Sequence, residues 1–545
     1  MNGAAPIRVE LESGEGREVS LAEGDSLASA LARQGWPLNT RCGQRGLCRG
    51  CEVELRSGNA MVDGRTVPAP ATIPACRARF PGAAVVVIPA RSRVEHRPQI
   101  GETFAIGVPC AHQPLFPGVP GQRDTAFAVD IGTTTVVVLL VDLGTGEVLS
   151  RAGAFNAQIR FGDNVLTRIE AARNPETLAA MQRAVVAETI QPLLLRACER
   201  AQRGVERIAG GAVAGNTTML HLLLGEDPTP LGVAPFTPRF LAGRQVRARE
   251  IGLKAPGLPD DLPLQLLPGI AAYIGADITA GVLASGMLDD ETPALLVDIG
   301  TNGEIVLQAA GQLSGCAAAA GPAFEGCGLR CGTRARDGAV SDLDLRLEPF
   351  VLEARVIGGR PLARADGICG SAYVDFLAVG RRAGLLNAQG RFEPAAWERL
   401  PEENRFLHEG RRAFRLAVHH GRDDLRISEA DVALLLQAKA AIGAGIEILL
   451  DTAGLRATDV GCVYLAGGFG MHLNVPHAIA IGLLPGFRAE QVRVVGNTAL
   501  AGALLALVDR TTVAEMERLR DRVRVLELNL ADGFEDRYIE HLSLP

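Results

Sequence analysis

The feature that most constrains how this 545-residue chain can fold is a duplication. TAFAVDIGTTTVVVLLVDLGTGEVL (residues 125–149) and PALLVDIGTNGEIVLQAAGQL (residues 293–313) share one construction. Each is an apolar, β-rich run ending in aspartate, a tight Gly-Thr turn, a second apolar run, and a Gly-containing turn into a third short strand. The three-stranded meander therefore occurs twice, with Asp130 and Asp298 in equivalent places. The turns carry Gly132, Thr133 and Thr134 in the first copy and Gly300, Thr301, Asn302 and Gly303 in the second. Glycine lets backbone amides approach a phosphate with no Cβ in the way, and the hydroxyls add neutral donors. An aspartate at the strand end then faces the metal that accompanies the phosphate, directly or through water.

The duplication continues past the hairpins. In the first half an amphipathic helix over about 175–202 leads to IAGGAVAGNTTML, where Gly215, Asn216 and Thr217 open a helix over 218–224. In the second a helix over about 429–453 leads to VYLAGGFG, where Gly467 and Gly468 follow a strand over 462–466. Strand, Gly-rich turn and helix N-terminus offer unpaired amides and the positive end of a helix dipole to an anion or a ribose. The pattern resembles the actin, sugar-kinase and Hsp70 superfamily of ATPases, with DIGTTT, DIGTNGE and LAGGFG similar to its first phosphate, second phosphate and adenosine motifs. That resemblance implies ATP and Mg2+ held between two facing halves. The first half is expected at 124–288 and the second at 291–545.

Hairpin to adenosine-like turn spans 86 residues in the first half but 169 in the second, so an insertion of about 80 residues is expected within 316–428. An insertion on this scaffold is where partner specificity would be placed. Cys316, Cys327, Cys331 and Cys369 fall in it among Gly and Ala, which reads as small buried residues and not as a second metal site.

Residues 1–90 form a separate unit. IRVELESG and REVSLAEG read as a hairpin, DSLASALARQG as a short helix begun at Asp25 or Ser26 and stopped by Gly35, and EVELRSG and AVVVIPA as further strands. Between them stands Cys42-x5-Cys48-x2-Cys51-x24-Cys76. Three thiols on one Gly-rich loop and a fourth from a distant segment can wrap a small iron-sulfur cluster; zinc is the competing metal, although its usual paired CxxC knuckles are missing. The arrangement resembles the 2Fe-2S ferredoxin domain, with a spacing nearer the adrenodoxin type than the plant type. Arg41, Arg45 and Arg49 surround the loop, where they offset cluster charge and dock an acidic partner or simply form a solvated face. A proline-rich linker over 91–123, apolar enough to lie against a domain, follows.

A net charge of −7 argues against a general nucleic-acid binder. Unbroken apolar runs such as Val136–Val141 fall far short of the roughly 20 residues a membrane span needs. The N-terminus lacks the basic start and apolar core of a secretory signal, so the expected location is cytoplasmic. Basic residues are 53 Arg and only two Lys, and Lys439, on the helix before AGGFG, is a candidate to reach the nucleotide.

A one-electron carrier joined to an ATPase suggests hydrolysis coupled to uphill electron transfer. CGQRGLCRGC, VDIGTTT, GNTTMLHLLLG, PLGVAPF, VDIGTNGE, AGPAFEG, GICGSA and LAGGFG together resemble the reductive activators of corrinoid-dependent methyltransferases over essentially the whole chain. The expected fold class is accordingly multidomain α/β, a β-grasp ferredoxin-like domain followed by a duplicated actin-like (ASKHA) ATPase fold. The resemblance implies that Cys42, Cys48, Cys51 and Cys76 hold the cluster, that Asp130 with Gly132 to Thr134 and Asp298 with Gly300 to Gly303 hold phosphate and Mg2+, and that Gly467 and Gly468 face the adenosine. Glu304 is the candidate to position the attacking water. The implied partners are the corrinoid protein of a methyltransferase system and an unidentified electron donor, with a homodimer left open. The runner-up is an ATP-dependent donor to another low-potential acceptor such as a radical dehydratase.

Overall fold

The structure, a computed structural model, describes residues 7–11, 15–21, 24–34, 36, 38, 40, 44, 46, 51–89, 92, 103–108, 110–408, 410–419 and 424–545. It divides into two compact units, one of residues 1–97 with 157–171 and one of residues 98–156 with 172–545.

In the first unit, Ile7–Leu11 alternates as its pattern dictates, with Ile7, Val9 and Leu11 buried and Arg8 exposed. It pairs antiparallel with Gly16–Val19 and parallel with Ala84–Ile88, which in turn pairs with Glu52–Ser57 and, through it, Ala71–Pro74. A central parallel pair flanked by antiparallel neighbours, with the helix Leu27–Arg33, is the β-grasp arrangement. The helix Leu27–Arg33 is capped by the Ser26 hydroxyl, which accepts from the Ser29 N–H at 3.2 Å, and it buries Leu27, Ala28, Ala30 and Leu31. A small second sheet of Arg65–Pro68, Asn59–Val62 and Ala78–Arg79 was not legible in the sequence.

The second unit holds both copies of the meander. In the first sheet the order is Val148–Phe155, Thr135–Asp142, Thr125–Ile131, Ile208–Gly215, Pro263–Leu266, Arg244–Arg247; in the second it is Val523–Val525, Gln312–Ala318, Gly303–Ala309, Ala294–Ile299, Cys462–Ala466, Val492–Gly496. Five consecutive positions correspond, and in each sheet the aspartate-bearing strand pairs antiparallel with its hairpin partner and parallel with the strand of the later Gly-rich turn. The helices Ala276–Ser285 and Thr498–Val508 cross between the sheets at Gly281 and Gly502, where the absence of side chains permits close approach.

The long first-half helix runs as Pro175–Val185, a π-turn Val186–Ile190 and Gln191–Ala201. Pro192 has no N–H for the ordinary i−4 bond, so the ladder widens there, and the Thr189 hydroxyl donates to the Ala184 carbonyl at 2.8 Å. Residues 103–108 of the linker lie along the second unit: Ala105 N–H donates to the Val495 carbonyl at 3.1 Å, and the Thr103 carbonyl accepts from the Asn497 N–H at 3.1 Å. The insertion folds as two three-stranded sheets, Ala339–Leu347 with its neighbours and Arg411–Ala417 with its neighbours, around the buried helix Gly370–Arg382.

One helix among the described residues, Glu429–Thr452, is apolar and long enough to cross a membrane, with mean hydropathy 1.7; four-fifths of that window is buried in the fold (78%). Gln437 and Lys439 interrupt its apolar pattern. Lys439 is also the expectation the structure overturns. It is 1% exposed, does not line the nucleotide-sized cavity described below, and its Nζ donates to the Ser543 carbonyl at 2.7 Å, fastening the C-terminal segment to the core helix. Burial holds its pKa down at about 8. Lys439→Ala should therefore destabilise the second unit by about 2 kcal/mol, through the lost bond from a charged donor, while leaving the KM for ATP unchanged. A rise in KM without loss of stability would return Lys439 to the nucleotide.

Candidate active site

The Gly-Thr turns of the two meanders meet at one cavity. Thr134 Oγ1 and Thr301 Oγ1 lie 3.1 Å apart, and each donates to one oxygen of Glu325, at 2.6 and 2.8 Å. Two hydroxyls 167 residues apart in sequence are thus clasped by one carboxylate, which fixes the halves to each other. Glu325 comes from the insertion, ahead of a tight loop. Gly326 has φ +74° and a Cβ there would sit 2.4 Å from the Thr333 carbonyl oxygen, so only glycine lets the loop close and bring Glu325 and Arg334 to the same wall.

Asp130 and Asp298, at the ends of their strands, Asp277, in the first turn of Ala276–Ser285, and Glu304, opposite Asp298 in the hairpin register, all line the cavity. Each is surrounded by protein, so ionisation is disfavoured by desolvation first and by the neighbouring carboxylates second. Asp130 is raised to about 6, with only the Asn497 side chain, donating at 2.8 Å, opposing the rise. Asp298 is raised to about 7 by burial and then by the charge of Asp130, and Asp277 to about 8 by burial and then by Asp298 and Asp130. Glu304 is raised well above the ordinary carboxylate range by burial, Asp277 and Asp298. Room for the Asp298 carboxylate exists because position 467 is glycine: with φ +89°, a Cβ there would lie 2.5 Å from Asp298 Oδ1.

Four carboxylates that repel one another around one space fit a divalent cation. Mg2+ accompanying a nucleotide is commonly held through water and phosphate oxygens with one or two carboxylates. The sign of the pH effect follows. Carboxylates with raised folded-state pKa values contribute stability that is complete below the unfolded value near 4 and is lost as pH rises through about 6 to 8. Nucleotide-free protein should therefore lose thermal stability across that window, Asp277→Asn should lose less, and Mg-ADP should stabilise more at the alkaline end than at the acid end. Mg-ADP stabilisation that is equal at both ends contradicts the cluster's role.

Of the residues singled out in the sequence, Asp130, Gly132, Thr133, Thr134, Asn216, Asp298, Gly300, Thr301, Asn302, Glu304, Gly467 and Gly468 line the cavity. Gly215, Thr217, Gly303 and Lys439 do not; the Thr217 hydroxyl is taken by the Ala271 carbonyl at 2.7 Å. Sequence reasoning missed Asp277, Glu325, Arg334 and Asn497. For Asn497 a signal existed. GNT occurs at 215–217 and again at 496–498, and both asparagines do the same work: Asn216 and Asn497 each accept a helix N–H at 2.9 Å through Oδ1 and donate through Nδ2 into the first meander, to Thr133 Oγ1 at 3.0 Å and to Asp130 Oδ2 at 2.8 Å.

In the first unit, Cys51 precedes the strand Glu52–Ser57 and Cys76 follows Ala71–Pro74; Glu52 pairs with Pro74, and the Ala75 N–H donates to the Cys51 carbonyl at 3.1 Å. The antiparallel pair thus brings Cys51 and Cys76 to one end of the sheet, both buried. Two thiols converging from segments far apart in sequence fit a cluster ligand set. Cys42, Cys48 and the three arginines of the loop lie outside the described residues. Cys316, Cys327 and Cys369 of the insertion are buried, Cys316 beside the Gly445 carbonyl, and the half-buried Cys331 accepts from the Arg426 N–H at 3.4 Å.

A duplicated actin-like unit with carboxylates and hydroxyls converging on one cavity, in a chain that also carries a β-grasp unit with converging cysteines, defines an ATPase of the ASKHA class fused to a 2Fe-2S domain. Family models agree region by region: the 2Fe-2S iron-sulfur cluster binding domain matches residues 11–80, the RACo middle region 125–290, and the C-terminal ASKHA domain of RACo 292–545. The solved structure of a reductive activator for corrinoid,iron-sulfur protein is 30% identical, with TM-score 0.72, covering 99% of this chain and 98% of that one. The chain belongs to this family of reductive activators. Corrinoid activation enzyme RamQ of Eubacterium limosum is 33% identical over 70% of this chain, which spans 64% of RamQ's length. The [Co(II) methylated amine-specific corrinoid protein] reductase of Methanosarcina barkeri is 27% identical over 74% of this chain and 73% of its own.

Proposed function

We propose that the protein reductively activates a corrinoid protein: one electron passes from the N-terminal unit to the Co(II) corrinoid of a methyltransferase system, giving Co(I), and ATP is hydrolysed in the second unit. The observation that carries the reading is the convergence of both Gly-Thr turns and four carboxylates on one cavity, in the same chain as Cys51 and Cys76. A 2Fe-2S cluster held by Cys42, Cys48, Cys51 and Cys76 supplies a one-electron centre.

The Gly132 and Gly300 N–H groups close their own turns on the Thr135 and Asn302 carbonyls, both at 2.9 Å, so Thr133, Thr134, Thr301 and Asn302 would face the phosphates, Gly467 and Gly468 would give the adenosine an open face, and Asp130 and Asp298 would orient a hydrated Mg2+. Positive charge from such a cation would favour the ionised carboxylates that burial otherwise opposes. Glu304, opposite Asp298 in the hairpin register and lining the same cavity, is placed to position the attacking water.

ATP has a thermodynamic role here, because each 100 mV of uphill one-electron transfer costs about 2.3 kcal/mol. The names of the relatives favour a corrinoid acceptor over a radical dehydratase. Eleven cysteines suit a cytoplasmic setting, where thiols stay reduced. The test is anaerobic mixing with corrinoid proteins, following Co(I) absorbance with and without Mg-ATP.

A further inference from the structure

Arg334 has no assigned task, and its surroundings give it one. Of the described residues lining the cavity it is the only arginine or lysine, against Asp130, Asp277, Asp298, Glu304 and Glu325. Its nearest carboxylate oxygen, on Glu325, stands 3.8 Å from Nε, beyond hydrogen-bond reach, and Nε and Nη2 are both buried with no hydrogen-bond partner. The guanidinium lies 5.0 Å from the ring centroid of Phe155, which orients it without using any donor. Glu325, close behind it, is already occupied by the hydroxyls of Thr134 and Thr301.

Buried donors without a partner are disfavoured, and native structures seldom leave two on one side chain unless something else fills them. A planar fork of N–H groups matches the spacing of two phosphoryl oxygens. We propose that Arg334 donates to the terminal phosphoryl group of the bound nucleotide and stabilises the charge that its oxygens gather as the bond to ADP breaks, an arginine supplied in cis from the insertion. The insertion is then part of the ATPase and not only a surface for partners. Glu325, clasped by the hydroxyls of Thr134 and Thr301, leaves the Arg334 Nε and Nη2 donors unfilled.

The inference rests on the reading that this cavity hydrolyses ATP, and the experiment separates the two. Arg334→Gln and Arg334→Met are prepared in the full chain and judged alike, so that misfolding of one leaves the other; iron-sulfur absorbance and thermal midpoint report folding. Hydrolysis should fall by about 10²- to 10³-fold or more. Affinity for Mg-ADP should stay within about three-fold, whereas the ADP–fluoroaluminate complex, which presents a planar phosphoryl mimic, should weaken by about 10²-fold or more. Hydrolysis within about three-fold of wild type overturns the assignment, and so does equal loss of both complexes, which would mark Arg334 as structural. If wild-type protein neither binds Mg-ADP nor hydrolyses ATP, the reading of the cavity fails first and the inference fails with it.

Discussion

Replacing Asp298 by alanine is expected to reduce ATP hydrolysis by about 10³-fold or more while leaving the nucleotide-free protein at least as stable as wild type. The two halves of this expectation have one cause. The Asp298 carboxylate is desolvated and faces Asp130, which is why its pKa stands at about 7; deleting it removes repulsion and no hydrogen bond that the described structure records. With Mg2+ and phosphate present the same carboxylate would orient the hydrated cation, so its loss would lower turnover. An ordinary core aspartate would show the reverse pattern, loss of stability with activity retained in whatever remains folded. Measurement of the thermal midpoint together with steady-state hydrolysis distinguishes them.

The second large effect is expected from Cys51→Ser. Cys51 is buried where Glu52–Ser57 begins, next to the segment carrying Cys76, so serine fits sterically but withdraws one thiolate from the set. Visible absorbance and Co(I) formation should be lost. The ATPase cavity lies wholly in the other unit, with its own core, so hydrolysis should persist at close to the wild-type rate. Loss of hydrolysis together with the chromophore would show that nucleotide turnover depends on a loaded first unit, and the division of labour drawn here would be wrong.

Much of this was legible in the sequence because it is carried by local patterns. The DIGT turns announce themselves by an aspartate that ends an apolar run and a Gly-Thr pair that has no role in an ordinary strand, and both turns line the cavity. What was not legible depends on tertiary approach. Glu325 and Arg334 sit in an insertion whose fold has no repeat to compare with, and only the contact of Gly326 with Thr333 brings them to the wall. Asp277 reads in sequence as a routine acidic residue in a first helical turn, yet its helix crosses Thr498–Val508 and delivers it to the carboxylate cluster. Lys439 misled in the opposite direction. Rarity of lysine in an arginine-rich chain suggested function, whereas the side chain meets a carbonyl of the C-terminal segment in a space that an ammonium fills.

The central claim is that ATP turnover drives an electron to a corrinoid that would not otherwise accept it. A Co(II) corrinoid that requires a lower potential than a ferredoxin-type 2Fe-2S centre leaves spontaneous transfer stalled. ATP changes that outcome only if its bound states differ in affinity for the corrinoid protein, so turnover and complex formation must be linked. The most direct measurement mixes prereduced protein anaerobically with a corrinoid protein in the Co(II) form and follows Co(I) absorbance with Mg-ATP, with Mg-ADP and with no nucleotide. The account predicts Co(I) in the first case, little in the other two, and hydrolysis stimulated by the corrinoid protein. Co(I) formed at the same rate without ATP would contradict it.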